Sequence, residues 1–258
     1  MKFLFHLDSF GEYISRRWDD IEESLLNKIY CGDCLETLKW FPDNEIDCVV
    51  TSPPYNLGGD FHICNNGRRT TYGAYNSFKD NLSEDDYQNN QIEVLNELYR
   101  VTKDSAYCFY VHKERIIKNE IISPIEWIKK TKWKISQTVV LDMSATPNVD
   151  KRRFFPVHEY IYVLCKSKDS KLHNEKCLTS VWKTKKTPRK ISGHPATFDY
   201  NIPYECILAS TKEEDIVLDC YAGTGTTLCA ATLTNRKYIG IEIDEHYVKL
   251  CKENLNSI

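Results

Sequence analysis

The feature that leaves this chain least freedom lies near its C-terminus. Ile216-Val217-Leu218-Asp219 is a short apolar strand closed by a carboxylate, and it runs directly into Cys220-Tyr221-Ala222-Gly223-Thr224-Gly225-Thr226-Thr227. A helix follows to Thr234, then a strand from Lys237 to Glu242, whose acid comes 17 residues after Gly225. Strand, glycine turn, helix, strand and acid make a nucleoside-binding half of an α/β fold. The glycines permit a tight turn and close backbone approach at a helix N-terminus, and the terminal carboxylate can accept both ribose hydroxyls. Only 16 residues follow Glu242. The remaining strands must therefore precede the unit, and the fold reads as permuted. A nicotinamide dehydrogenase does not fit, because Gly-Thr-Gly-Thr-Thr lacks the third fingerprint glycine and too little chain follows.

Upstream, apolar strand-like runs alternate with helical spacing. Residues 1–27 are expected to form a mostly helical acidic leader. Strands are expected from Lys28, from Asp47 to Thr51, from Ser105 to Val111, from Ile135 to Leu141 and from Glu159 to Cys165. Helices are expected from Cys34 to Trp40, from Ser83 to Val101, from Asn201 to Thr211 and from Glu245 to Leu255. The stretches 56–80 and 166–191 lack periodicity and read as loops. The expectation is one α/β catalytic domain over 28–258: a permuted, doubly wound, mostly parallel sheet with an antiparallel edge strand. A basic insertion falls around 166–191.

Composition narrows the setting. Apolar residues are 41% and charged residues 28% of the chain, and no uncharged apolar run approaches the roughly 18 residues a membrane helix needs. Asp8 and Glu12 interrupt the apolar start too early for a signal-peptide core, so a cytoplasmic protein without a membrane partner is expected. Eleven scattered cysteines then read as reduced thiols, and Cys31-x-x-Cys34 lacks a second pair, so no metal is expected. The net charge of −3 hides an asymmetry. Residues 129–190 carry 16 Lys and Arg against 5 Asp and Glu, which marks a surface for a polyanion in an otherwise acidic chain.

Thr51-Ser52-Pro53-Pro54-Tyr55 ends a buried strand at the side where open α/β sheets bind ligands. Two prolines fix the backbone and remove two amide donors. Carbonyl oxygens, a serine hydroxyl and an aromatic ring remain, and that set suits a planar amine. Together TSPPYN, VLDCYAGTGTT and IGIEID resemble the amino-methylating DNA methyltransferases, in particular the permuted β group with the catalytic turn first. The likeness runs from about Asn27 to Leu255. It implies an S-adenosylmethionine-dependent methyltransferase fold of Rossmann-like type, with S-adenosyl-L-methionine as cofactor and double-stranded DNA as partner.

By that resemblance Ser52, Pro53, Pro54 and Tyr55 form the catalytic turn. Asp219, Gly223, Gly225 and Thr226 hold the methionine part of the cofactor, Glu242 binds its ribose, and Asp33 lies near its adenine. Thr197 and Phe198, in His194-Pro195-Ala196-Thr197-Phe198, resemble the segment that closes the cofactor pocket. Lys183, Lys185, Lys186 and Arg189 fall where this group places target recognition, and Arg68 and Arg69 follow the catalytic turn as further DNA contacts. The implied mechanism is base flipping followed by direct methyl transfer. Serine at the head of the turn is associated with N4-cytosine members, Asp or Asn being commoner in N6-adenine ones. N4 of cytosine is therefore the expected target, with N6 of adenine the alternative. An RNA or protein methyltransferase and an inactive nucleic-acid-binding relative are the remote readings. A cytosine-C5 enzyme is excluded because no Pro-Cys dipeptide supplies its nucleophile. A cognate restriction endonuclease and a homodimer are left open by the sequence.

Overall fold

The computed structural model describes residues 5–7, 13–15, 23–57, 62–65, 68–71, 80–144, 153–168, 170–184 and 199–258. Its centre is one eight-stranded sheet. In chain order the strands are β3 (Lys28–Cys31), β4 (Ile46–Thr51), β7 (Thr102–His112), β10 (Lys134–Asp142), β11 (His158–Cys165), β12 (Val181–Lys183), β13 (Ile216–Asp219) and β14 (Lys237–Glu242). Across the sheet they lie in the order β12-β10-β11-β7-β4-β13-β14-β3. Three two-stranded hairpins stand apart: β1 (Phe5–Leu7) with β2 (Tyr13–Ser15), β5 (His62–Asn65) with β6 (Arg68–Thr71), and β8 (Arg115–Ile117) with β9 (Glu120–Ile122).

Every pairing within the large sheet is parallel except those of β11, which runs against both β7 and β10. The mostly parallel sheet with a reversed strand is the expected architecture, but that strand lies inside the sheet and the edge strand β12 runs parallel to β10. Two expectations fail locally. The described parts of the leader are β1, β2 and a single 3-10 turn at Glu23–Leu25 rather than a helix. The stretch 56–80 contains β5 and β6 rather than loop alone. Both hairpins pair short runs within a few residues of one another, a contact that helical periodicity does not register.

β4 shows why the sheet is buried on both faces. Ile46 and Val49 point to one side, Cys48 and Val50 to the other, and all four are fully buried. A continuous apolar strand of this kind suits only a central, parallel position. One face is covered by the helices Cys34–Leu38, Glu84–Val101 and Ile125–Ile128, through Leu38, Leu95, Leu98, Trp127 and Ile128. The other is covered by Asn201–Ser210 and Thr226–Leu233, where Cys206, Ile207, Ala230 and Ala231 pack on the strands. The chain thus leaves β4 toward one face and β13 toward the opposite face. Between their carboxyl ends opens the crevice in which doubly wound folds bind ligands.

The turn after β13 depends on Gly225. Its φ is +85°, and a Cβ placed there would collide with Cys251 Sγ on the closing helix Glu245–Leu255. Gly225→Ala therefore combines backbone strain with overpacking, and a destabilisation of about 1–3 kcal/mol is expected in urea unfolding. Adding Cys251→Ala should recover the overpacking part only. An unchanged midpoint for Gly225→Ala would contradict the assignment.

Candidate active site

Two strand ends form the floor of the crevice. Thr51, last residue of β4, donates its hydroxyl to Asp219 Oδ1 of β13 at 2.8 Å, and both residues are buried. The Tyr221 amide donates to the same oxygen at 3.1 Å. Burial pushes the Asp219 carboxyl up to about 6, against the pull of the Thr227 and Thr51 hydroxyls and the Tyr221 amide. Among the described residues no lysine or arginine pairs with it, so a buried carboxylate is left with neutral donors only.

One strand further on, the half-buried Glu242 takes the Gly223 amide on Oε2 at 2.8 Å and the Asp244 amide on Oε1 at 2.9 Å. Each oxygen keeps a further lone pair. Burial raises its carboxyl from the ordinary value, and the two amides oppose that shift. The Gly32 amide bonds the Glu242 carbonyl at 2.9 Å and thereby brings Asp33 to the same rim. Asp33 caps the helix Cys34–Leu38 by accepting the Glu36 amide at 3.0 Å. Thr226 opens the helix after Gly225. Asp33, Asp219, Gly223, Gly225, Thr226 and Glu242 therefore share one end of the sheet. Together they line one rim with three carboxyl groups and the backbone of the glycine turn.

The proline turn begins one residue after Thr51. Pro53 is buried, and Ser52, Pro54 and Tyr55 are half-buried. Tyr87, four residues past the Ser83 cap of its helix, donates to the Pro54 carbonyl at 2.8 Å and lies 2.7 Å from His112 Nε2. The Pro54 carbonyl is thus engaged by the protein, whereas no described residue donates to that of Pro53. His112 Nδ1 lies 2.7 Å from the Lys113 carbonyl, which can only accept. Burial lowers the imidazole to about 3, so the ring is neutral and Nδ1 holds its proton. The single Tyr87 proton then serves either Nε2 or the Pro54 carbonyl at one moment. Arg115 braces this arrangement by lying over the Tyr87 ring at 4.7 Å and gripping Glu84 with two bonds of 2.7 and 2.8 Å.

Tyr55 packs its ring on His112 with centroids 4.5 Å apart. Its hydroxyl sits 3.1 Å from Ser52 Oγ and donates to Glu159 Oε2 at 3.1 Å. Burial first, and the Glu159 charge second, raise the phenol well above its ordinary value. Tyr87, His112 and Glu159 are not legible as site residues in the sequence. The available signal is a polar side chain closing or opening an otherwise apolar strand on the ligand-binding side: His112 ends β7, and Glu159 stands second in the reversed β11.

The basic region divides. Lys166 is buried, donating to the Thr102 carbonyl and, at 3.2 Å, to Asn44 Oδ1. Lys176 pairs with Glu205 at 2.7 Å. These two belong to the scaffold, whereas Lys183 is exposed at the end of β12. Arg68 and Arg69 lie in β6, their side chains outside the described residues. Thr197, Phe198, Lys185, Lys186 and Arg189 lie outside the described residues altogether.

A mostly parallel sheet with one reversed strand, carrying a glycine turn and a facing acid at its carboxyl edge, is the fold of S-adenosylmethionine-dependent methyltransferases. The chain belongs to the N6/N4 DNA methylase family, whose model matches residues 46–253. It is an S-adenosylmethionine-dependent DNA methyltransferase. It is 26% identical to the type II methyltransferase M.HinfI of Haemophilus influenzae, over 90% of this chain and 69% of that protein. It is 25% identical to the DNA adenine methyltransferase YhdJ of Escherichia coli K12, over 85% and 79%. In structure it resembles the cytosine-N4-specific PvuII DNA methyltransferase, with a TM-score of 0.70, 20% identity, and coverage of 88% of this chain and 85% of that one. The Thermus thermophilus protein TTHA0409, solved with S-adenosyl-L-methionine, matches with a TM-score of 0.65 and 20% identity, over 89% and 93%. Among the described residues no helix is long and apolar enough to cross a membrane.

Tyr87→Phe should leave His112 Nε2 and the Pro54 carbonyl without their shared donor. A destabilisation of about 1–3 kcal/mol is expected in denaturant unfolding, because buried acceptors are left unpaired. A change within error of zero would show that the hydroxyl does not hold the turn.

Proposed function

We propose that this chain methylates the N4 amino group of cytosine within a short duplex DNA sequence. The observation that carries the reading is the asymmetry of the proline turn. Tyr87 donates to the Pro54 carbonyl and no described residue donates to that of Pro53, so the Pro53 carbonyl and Ser52 Oγ would be the two acceptors for an incoming amine. An exocyclic amine is planar because its lone pair is delocalised into the ring. Two acceptors that each take one N–H turn the lone pair out of that plane and toward the cofactor side. The choice of cytosine N4 over adenine N6 rests on the family resemblance, in which serine at the head of the turn is associated with N4-cytosine members.

The residues of the crevice fit the cofactor. Asp219 would take the ammonium of its methionine part, with Gly223, Gly225 and Thr226 shaping the turn around it. Glu242 would take the ribose hydroxyls, and Asp33 would lie beside the adenine. When bound, S-adenosyl-L-methionine supplies the electrophilic methyl. Flipping the target base costs a few kcal/mol, and stacking on Tyr55 can return about 1–3 kcal/mol of it. Tyr55 suits that task because His112 already fixes its ring.

Duplex DNA would approach from the same edge. Lys183 is exposed there, and Phe154, fully exposed, follows the exposed Arg153 just before β11. Lys185, Lys186, Arg189, Arg68 and Arg69 are assigned to the same contact by their sequence position. Neutralising Lys183, Lys185, Lys186 and Arg189 together should weaken binding and make it less sensitive to salt. The slope of log affinity against log salt should become shallower by up to about 0.9 for each phosphate no longer neutralised. An unchanged salt slope would remove these residues from the interface.

Incubation with labelled S-adenosylmethionine and mixed-sequence duplex DNA, followed by digestion to nucleosides, should yield N4-methylcytosine. Label in N6-methyladenine would move the assignment to the adenine branch, and label in neither would point to RNA or protein acceptors. A further expectation concerns pH. The folded Asp219 carboxyl titrates near 6, above its ordinary range, and the ligand ammonium pairs with the ionised form. Cofactor affinity measured by calorimetry should therefore rise as pH increases from about 5 to about 7, and Asp219→Asn should flatten that rise. A pH-independent affinity in the unaltered protein would detach Asp219 from the ammonium.

A further inference from the structure

Methyl transfer to a neutral amine releases a proton, and the turn itself holds no base to receive it. The hydroxyl of Ser52 is not basic enough to keep a proton. A line of oxygens does, however, lead away from it. Ser52 Oγ lies 3.1 Å from Tyr55 Oη, and Tyr55 Oη donates to Glu159 Oε2 at 3.1 Å. Tyr55 has one proton and gives it to Glu159. Ser52 must then be the donor in its bond to Tyr55, and its own lone pairs are left to accept. An ionised Glu159 thus sets the direction of the whole line. With Glu159 protonated the line can reverse, and the Ser52 proton then points at the amine it should accept from.

We propose, resting on the base-methylating reading above, that Glu159 is the terminal proton acceptor of a Ser52–Tyr55–Glu159 relay and holds Ser52 in its accepting orientation. The N–CH3 bond forms from the amine lone pair as the S–CH3 bond of the cofactor breaks, its electron pair remaining on sulfur. The amine proton passes to Ser52 Oγ, the Ser52 proton to Tyr55 Oη, and the Tyr55 proton to Glu159 Oε2. A sulfonium and a carboxylate become a thioether and a carboxylic acid, so no new charge is created in the crevice. Glu159 returns the proton to water between turnovers.

The surroundings of Glu159 suit the task. Tyr55 faces it from the proline turn and Lys113 from the end of β7. On the β10 side its register partner is the buried, apolar Leu141, with Asp142 opposite His158 one position along. Burial raises the carboxyl from its ordinary value, while the Lys113 charge and the Tyr55 hydrogen bond pull it down. The group is therefore a better proton acceptor than a solvated glutamate, yet it has a neighbouring cation that favours its ionised form.

Single-turnover methylation of duplex DNA, followed against pH, tests the relay in Glu159→Gln, Glu159→Asp, Tyr55→Phe and the Gln/Phe double variant. The unaltered protein should lose rate as pH falls through the raised Glu159 value. Glu159→Gln should lower the maximal rate by about 10²-fold, remove that acid limb, and leave the affinities for DNA and cofactor close to the original. Glu159→Asp should keep the limb at an intermediate rate. Tyr55→Phe breaks the same line, so the double variant should be no slower than the slower single one. Infrared difference spectra of the cofactor-free protein across pH supply a reading independent of turnover: a titrating carboxyl band absent from Glu159→Gln and displaced in Tyr55→Phe. An unchanged rate and pH profile in Glu159→Gln would overturn the relay, as would rate reductions that multiply in the double variant. Should Glu159→Gln fail to fold, an unaltered pH profile and carboxyl band in Tyr55→Phe overturns it instead. Absence of any methylated nucleoside with the unaltered protein would count against the proposed reaction rather than against the relay.

Discussion

The hydrogen bond between Thr51 and Asp219 is the contact on which the rest of the crevice depends. It joins side chains 168 positions apart in the sequence, both buried, at the ends of neighbouring strands. The proline turn starts at the next residue after Thr51, and the glycine turn at the next residue after Asp219. Strand neighbours lie about 4.8 Å apart, so the bond fixes two turns of opposite chemistry within one strand spacing. One turn is rich in acceptors, the other in amides. Because the chain leaves β4 and β13 toward opposite faces of the sheet, the described backbone diverges on either side of the gap between them.

Burial around that gap works against formal charge. Asp219, Glu242 and Glu159 are all shifted toward their neutral forms by desolvation, and His112 is held neutral. Each carboxylate is then partly restored by specific donors: hydroxyls for Asp219, backbone amides for Glu242, a phenol and a nearby ammonium for Glu159. Such groups interact strongly with an arriving cation or amine because little water screens them. Behind the turn Tyr87, His112, Arg115 and Glu84 are joined in one polar network, in which one Tyr87 proton serves two acceptors and the buried Arg115 Nε has no hydrogen-bond partner among the described residues.

The elements of the fold are largely legible in the chain, for identifiable reasons. β4 and β13 are continuous apolar runs, and the helix Glu84–Val101 announces itself by the Ser83 cap and three acids in its first turn. The leader and the stretch 56–80 mislead because hairpin pairing is a relation between two short segments rather than a property of either. The reversed strand is foreseeable, yet local sequence suggests the edge of the sheet for it. Its position between β7 and β10 follows from sheet order, which local sequence does not encode. The basic region reads as one surface, whereas the fold takes Lys166 into the interior and ties Lys176 to a helix. Charge density along a chain does not reveal which ammonium groups end beneath a carbonyl.

By itself the sequence determined the chemistry of the two turns. Their conformations are enforced by residues that act locally: prolines that fix φ and remove donors, and glycines that accept a left-handed backbone. It also determined which strand ends would carry them, through apolar runs too short and too continuous for anything but a buried sheet. Only the tertiary structure decided which oxygens of the proline turn remain available, since the Pro54 carbonyl is answered by Tyr87 and the Ser52 hydroxyl is oriented through Tyr55 toward Glu159. Those partners come from a helix and from the reversed strand, 33 and 104 residues away from the groups they bind. A hydrogen bond has a range of about 3 Å and no memory of sequence separation. Its partners are therefore settled by strand order and register rather than by the neighbouring residues.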